Sequence, residues 1–124
     1  MAALLGFDSV MKLVVARTGD LADKQTQKFR FRERGEDKEG FVIRRGERFF
    51  AYRNECRHIP MTMDWVENRF LSRDRCYIQC STHGALYEIE SGLCVAGPPA
   101  GERLRSLEVE VRGEDIVVDL PEDA

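Results

Sequence analysis

Cys56-Arg57-His58 and, after 21 intervening residues, Cys80-Ser81-Thr82-His83-Gly84 decide how this sequence is read. Each segment pairs one thiol with one imidazole, as Cys-x-His in the first and Cys-x-x-His in the second. His58 and His83 are also the only two histidines in the chain. Thiolate is a soft donor and imidazole a borderline one, so two of each from two short segments form the donor set of a metal centre.

Two kinds of centre take such a set. A structural zinc needs four donors converging on one ion, commonly supplied as a pair of like cysteines and a pair of like histidines. The other is a two-iron cluster with two cysteines on one iron and two histidines on the other, which requires each segment to give one of each. The mixed pairs fit the second pattern more closely, and a zinc-stabilised structural module remains the alternative. Gly84 follows the second histidine, where the lack of a Cβ lets the chain turn sharply and keeps bulk from the imidazole. Gly97-Pro98-Pro99 is a stiff segment suited to covering one side of a cluster.

With these elements and the Ser91-Gly92 turn, the chain resembles the Rieske-type [2Fe–2S] iron–sulfur proteins, and in particular the Rieske-type ferredoxins, over roughly Phe29 to Leu120. The resemblance implies one [2Fe–2S] cluster, with Cys56, His58, Cys80 and His83 as metal ligands and Gly84, Tyr87 and Pro98 as further cofactor-binding residues. It also implies that the histidine-bound iron lies nearest the surface, behind a docking rim of Arg57, Ile59, Pro60, Met61, Ala85 and Pro98. Departures from the pattern separate branches of the family. High-potential members carry an extra cysteine in each loop, joined as a disulfide, where this chain has Met61 and Thr82. They also use a serine where Ala85 stands, while Tyr87 matches their tyrosine that hydrogen-bonds a cluster sulfur. Fewer hydrogen bonds to the sulfurs disfavour the reduced, more negative cluster, which points to the ferredoxin branch and a lower potential.

A chain of 124 residues has room for one domain, expected over 1–124, with a cluster-binding part over about 54–99. Its 43% hydrophobic and 33% charged content is that of a globular protein, and a net charge of −3 with mixed signs leaves no nucleic-acid footprint. The apolar opening Met1-Ala2-Ala3-Leu4-Leu5-Gly6-Phe7 is broken by Asp8 and reads poorly as a signal peptide. No stretch approaches the roughly 20 apolar residues of a membrane span. A cytoplasmic location is therefore expected, with Cys76 and Cys94 as free thiols. Cys94 reads as a small buried residue, and Cys76, on a strand, would share a face with Cys80.

The rest of the sequence reads as short strands with turns between them. Met11 to Ala16 is an apolar, β-branched run, and Phe29 and Phe31 alternate with Lys28, Arg30 and Arg32. Gly35-Glu36-Asp37 reads as a turn, Phe41-Val42-Ile43 starts a strand, and Gly46-Glu47 turns into a strand from Arg48 to Arg53. Asn54 opens the first ligand loop. Phe70-Leu71, the Ser72-Arg73-Asp74 turn and Arg75 to Gln79 form a hairpin, and Leu86 to Ile89 and Leu93 to Val95 flank another turn. Leu107, Val109 and Val111 alternate with charges before a turn at Gly113-Glu114-Asp115 and a strand from Ile116 to Leu120. Helical periodicity shows only at Leu21 to Gln27. Trp65, in the extra material between the ligand loops, is expected to pack beneath them. The fold class is all-β, a Rieske-like fold of packed antiparallel sheets with a small cluster-binding insert.

With both histidines used, no 2-His-1-carboxylate iron site can be assembled, and no G-x-G-x-x-G stretch offers a flavin or nicotinamide site. The expected function is therefore a one-electron carrier without its own catalytic site. It would take electrons from a reductase and deliver them to an oxygenase or similar redox enzyme. The alternative within the family is a small subunit of a larger redox enzyme of the nitrite-reductase kind.

Overall fold

A computed structural model describes residues 10–55, 63, 70–80 and 84–121. Ten strands follow one another: β1 (Val10–Arg17), β2 (Thr26–Glu33), β3 (Glu36–Arg45), β4 (Arg48–Arg53), β5 (Tyr77–Gln79), β6 (Leu86–Glu88), β7 (Cys94–Ala96), β8 (Ser106–Leu107), β9 (Val109–Arg112) and β10 (Asp115–Pro121). Among the described residues the only helical piece is a 3-10 turn at Thr18–Asp20, and no helix is long and apolar enough to cross a membrane. The strands form three antiparallel sheets, in the orders β1-β10-β9, β2-β3-β4-β8 and β5-β6-β7. The all-β expectation is met.

The β2-β3-β4-β8 sheet is the middle layer, and the reason lies in its period of two. Successive strand residues face opposite sides, so a strand buried on both faces must be apolar without interruption. Phe41, Val42 and Ile43 are all fully buried. Phe41 and Ile43 join a core with Tyr52, Phe70, Ile78, Tyr87 and Ile89, on the side of the β5-β6-β7 sheet. Val42 faces the other way, into a core with Phe29, Phe31, Ala51, Ile116, Val118 and Leu120, on the side of β10. One short apolar run thus serves two cores.

Several sequence expectations need correction. The first hairpin turns at Arg34 and Gly35, both in the left-handed region with φ of 52° and 76°, so Glu36 and Asp37 already lie in β3, paired with Glu33 and Arg32. Two left-handed residues make the tight turn that matches the twist of paired strands. Leu21 to Gln27 is not helical. Arg44 takes up this segment's backbone, accepting from Lys24 N at 2.7 Å and donating to Gln25 O at 3.1 Å. The Arg44 guanidinium also donates to the carbonyls of Thr18 and Leu21, so the segment is held by β3, and within itself it forms a turn in which Gln25 N donates to Ala22 O at 3.2 Å. Finally, the continuous alternation of Leu107, Val109 and Val111 hides a change of sheet. Leu107 pairs with Ala51 of β4, whereas Val109 pairs with Val118 of β10, and Val111 is 46% exposed.

Candidate metal centre

Cys80 directly follows β5, whose register with β6 (Tyr77 opposite Glu88, Ile78 opposite Tyr87, Gln79 opposite Leu86) points Ile78 and Cys80 to the same side. Both are fully buried, in one apolar cluster with Tyr87, whose hydroxyl is buried as well. Two backbone bonds close the loop that follows. Cys80 N donates to Ala85 O at 2.9 Å, and Gly84 N donates to Cys80 O at 2.8 Å. Gly84 has a φ of 69°, so its backbone conformation calls for glycine; a Cβ there would come no nearer than 3.7 Å to Gln79 Nε2.

The Gly97-Pro98-Pro99 segment packs against this loop. A Cβ on Gly97, whose φ is 104°, would stand 2.9 Å from the Ala85 Cα. Glu102 N donates to Pro99 O and Gly101 N to Cys94 O, which fixes the turn. Pro99 is buried and Pro98 exposed. Ala85 is fully buried, so it cannot belong to a docking rim; the 97–101 turn covers it.

The loop expected to carry Cys56 and His58 as ligands leaves the end of β4 at Asn54, a buried polar residue at 2% exposure. Its backbone N donates to Glu39 O at 2.9 Å, its Nδ2 donates to Glu39 Oε1 at 3.1 Å, and its Oδ1 accepts from Met63 N at 2.8 Å. Cys56, His58 and His83 lie outside the described residues, as do Arg57, Ile59, Pro60, Met61, Trp65 and Thr82. Among the described residues no three His, Cys, Asp or Glu side chains converge.

The other two cysteines divide as follows. Cys94 is buried, with its thiol donating to Ala96 O at 3.2 Å. Cys76 is exposed, in the turn before β5, and does not share a strand face with Cys80. Asp74 holds that turn, accepting from Ser72 Oγ at 2.7 Å and Cys76 N at 3.0 Å, and these bonds lower its carboxyl pKa.

Two contributors to the site were missed in the sequence. Tyr52 on β4 donates its hydroxyl to Ile89 O at 2.6 Å, tying the middle sheet to the β6–β7 turn, and burial pushes its pKa up to about 12. Its ring also lies 2.8 Å from where a Cβ on Gly92 would be. Asn54 was read only as the start of a loop. Its one signal was an amide placed at the end of an apolar strand, two residues before a candidate ligand.

A buried thiol at the mouth of a loop pinned by two backbone bonds suits the cysteine side of an iron–sulfur cluster, because apolar packing keeps water from the sulfur. The described residues around Cys80 fit such a group. The architecture is that of an all-β protein with a buried cysteine at the mouth of a pinned loop. The model of the Rieske [2Fe-2S] domain matches residues 11–118, and the chain belongs to that family, whose cofactor is one [2Fe–2S] cluster.

Solved structures show the same fold. The ferredoxin of carbazole 1,9a-dioxygenase from Nocardioides aromaticivorans IC177 is 22% identical, with a TM-score of 0.65 over 90% of this chain and 98% of that one. The ferredoxin fold also matches in a complex of reduced oxygenase and oxidized ferredoxin in carbazole 1,9a-dioxygenase, at 24% identity and a TM-score of 0.66 over 86% of this chain and 91% of that chain. The terminal oxygenase of carbazole 1,9a-dioxygenase from Novosphingobium sp. KA1 is 15% identical, with a TM-score of 0.66 over 91% of this chain but 30% of its own. A search of curated protein sequences gave no match.

Proposed function

We propose that the chain is a one-electron carrier of the ferredoxin type, passing electrons from a reductase to an oxygenase or similar redox enzyme. Cys56 and Cys80 would hold one iron of the cluster, and His58 and His83 the other. When bound, the cluster accepts and returns a single electron. The chain's own residues set the conditions. The apolar cluster around Cys80 keeps its sulfur dry, Gly84 permits the turn after His83, and Tyr87 supplies a buried hydroxyl on the same side. Pro98, exposed on the turn that covers Ala85, belongs to the surface on which a partner would dock.

The observation that carries this reading is the complete ligand set in a chain with only two histidines. It leaves none for a second, substrate-activating iron in this chain. Ferredoxins of carbazole 1,9a-dioxygenase, and their complexes with oxygenase, stand among the structural relatives and support the same direction of transfer.

An anaerobic redox titration tests the proposal. Uptake of one electron per chain is expected, with a midpoint in the lower half of the range of about −150 to +300 mV. Met61, Thr82 and Ala85 motivate the low value, since they replace the disulfide and the serine of high-potential relatives. A midpoint above roughly +200 mV would overturn the assignment to the ferredoxin branch. A redox-silent protein would overturn the carrier.

A further inference from the structure

We propose that Asn54 is a positioning residue that latches the first ligand loop, by holding its far end at Met63 and fastening both to Glu39. This rests on the assignment of Cys56 and His58 as ligands. The hydrogen bond from Met63 N to Asn54 Oδ1, at 2.8 Å, joins the residues on either side of 55–62, the segment that contains both ligands. The other end of the amide is fixed by Glu39 Oε1 at 3.1 Å and by the backbone bond from Asn54 N to Glu39 O. Glu39 is in turn paired with Lys28 Nζ at 3.2 Å, on the neighbouring strand β2. The middle sheet therefore reaches the loop through one buried amide.

Burial makes the latch effective. At 2% exposure, Asn54 has little water to replace a lost partner, and Met63, at 0%, has none for its side chain. Only an amide can serve both ends, accepting from a backbone N–H with its oxygen while donating to a carboxylate with its nitrogen. Aspartate keeps the first function and loses the second, because it would face the Glu39 carboxylate. Exchanging the pair, as Asn54→Asp with Glu39→Gln, restores one donor and one acceptor with no change in net charge.

The test compares wild type, Asn54→Ala, Asn54→Asp and the Asn54→Asp/Glu39→Gln double variant as cluster-loaded proteins. Three quantities are read: iron release to a chelator, hydrogen exchange of the peptide containing Met63, and the electron paramagnetic resonance spectrum of the reduced form. Asn54→Ala is expected to release iron about tenfold faster, with the Met63 peptide exchanging faster and the resonance lines shifted or broadened. Peptides of β1 and β10 should not change. Asn54→Asp should show the same defect, and the double variant should return towards wild type in all three.

Wild-type behaviour in Asn54→Ala overturns the latch. If that variant does not fold, the aspartate pair decides, and a double variant no better than Asn54→Asp overturns it equally. A wild-type protein without a histidine-bound cluster would defeat the ligand assignment instead, while the Met63 exchange would still report on the latch.

Discussion

β2 and β3 pair over eight residues and β3 and β4 over six, whereas β5 and β6 pair over three and β6 and β7 over two. The middle sheet has ladders long enough to define itself and apolar cores on both faces. The β5-β6-β7 sheet has neither the strand length nor a second core. A small sheet of this kind needs an apolar layer behind it to be stable. It finds one in Phe41, Ile43 and Tyr52 of the middle sheet. The difference shows how the molecule divides its labour. A framework of long ladders with two apolar cores carries a short-stranded module on one face.

The strongest way to break this contrast is to remove Cys80, a proposed ligand. Cys80→Ser is expected to abolish the visible chromophore and bound iron. Amide exchange should then rise in β5, β6 and β7 while β2, β3 and β4 stay protected. Equal loss of protection in both regions would mean that the framework is not independent. Next in size is Phe41→Ala. Phe41 is fully buried, stacked on Phe70 at 4.0 Å between ring centroids, and shared by the framework and the module. Loss of about 3–5 kcal/mol in denaturant unfolding is expected, affecting both regions together.

Gly97→Ala is smaller and more local. A φ of 104° strains any side chain, and the 2.9 Å approach to Ala85 forces the 97–101 turn away from the ligand loop. A stability loss of about 1–3 kcal/mol is expected, with iron release accelerated more than global unfolding. A stability unchanged from wild type would contradict this packing.

The smallest effect belongs to Tyr52→Phe, which removes the buried bond to Ile89 O and should cost about 1 kcal/mol near neutral pH. Its pH dependence has a definite sign. The Tyr52 pKa is raised in the folded chain, from 10.0 to about 12, so its contribution is complete below pH 10 and declines as the pH rises towards 12. Denaturant curves of wild type and Tyr52→Phe should therefore converge across that interval. A constant difference would show that the hydroxyl is not held as described.

How much of this was legible in the sequence depended on whether the deciding contacts were local. The Gly46-Glu47 turn and the strand from Arg48 to Arg53 were readable because a glycine at a φ of 63° and an adjacent apolar run fix them on their own. Membership of the Rieske [2Fe-2S] family was readable from the spacing of the cysteine and histidine motifs. Asn54 was not, since its partners Glu39 and Met63 are remote in sequence and an asparagine before a loop is commonplace. Ala85 was assigned to a surface because it adjoins the Cys80 loop, whereas packing in the apolar cluster and the close approach of Gly97 bury it. The switch between β8 and β9 was invisible for a similar reason: alternation records which face a residue takes, but not which strand lies beside it.

The central claim is that the two Cys–His segments together hold a two-iron cluster with histidine on one iron. Electron paramagnetic resonance of the dithionite-reduced protein, with resolution of nitrogen couplings, tests it most directly. A rhombic signal with a low average g value and couplings from two imidazole nitrogens, one each from His58 and His83, is expected. A silent spectrum from a colourless, zinc-containing protein, or a cluster signal with no nitrogen coupling, would contradict it.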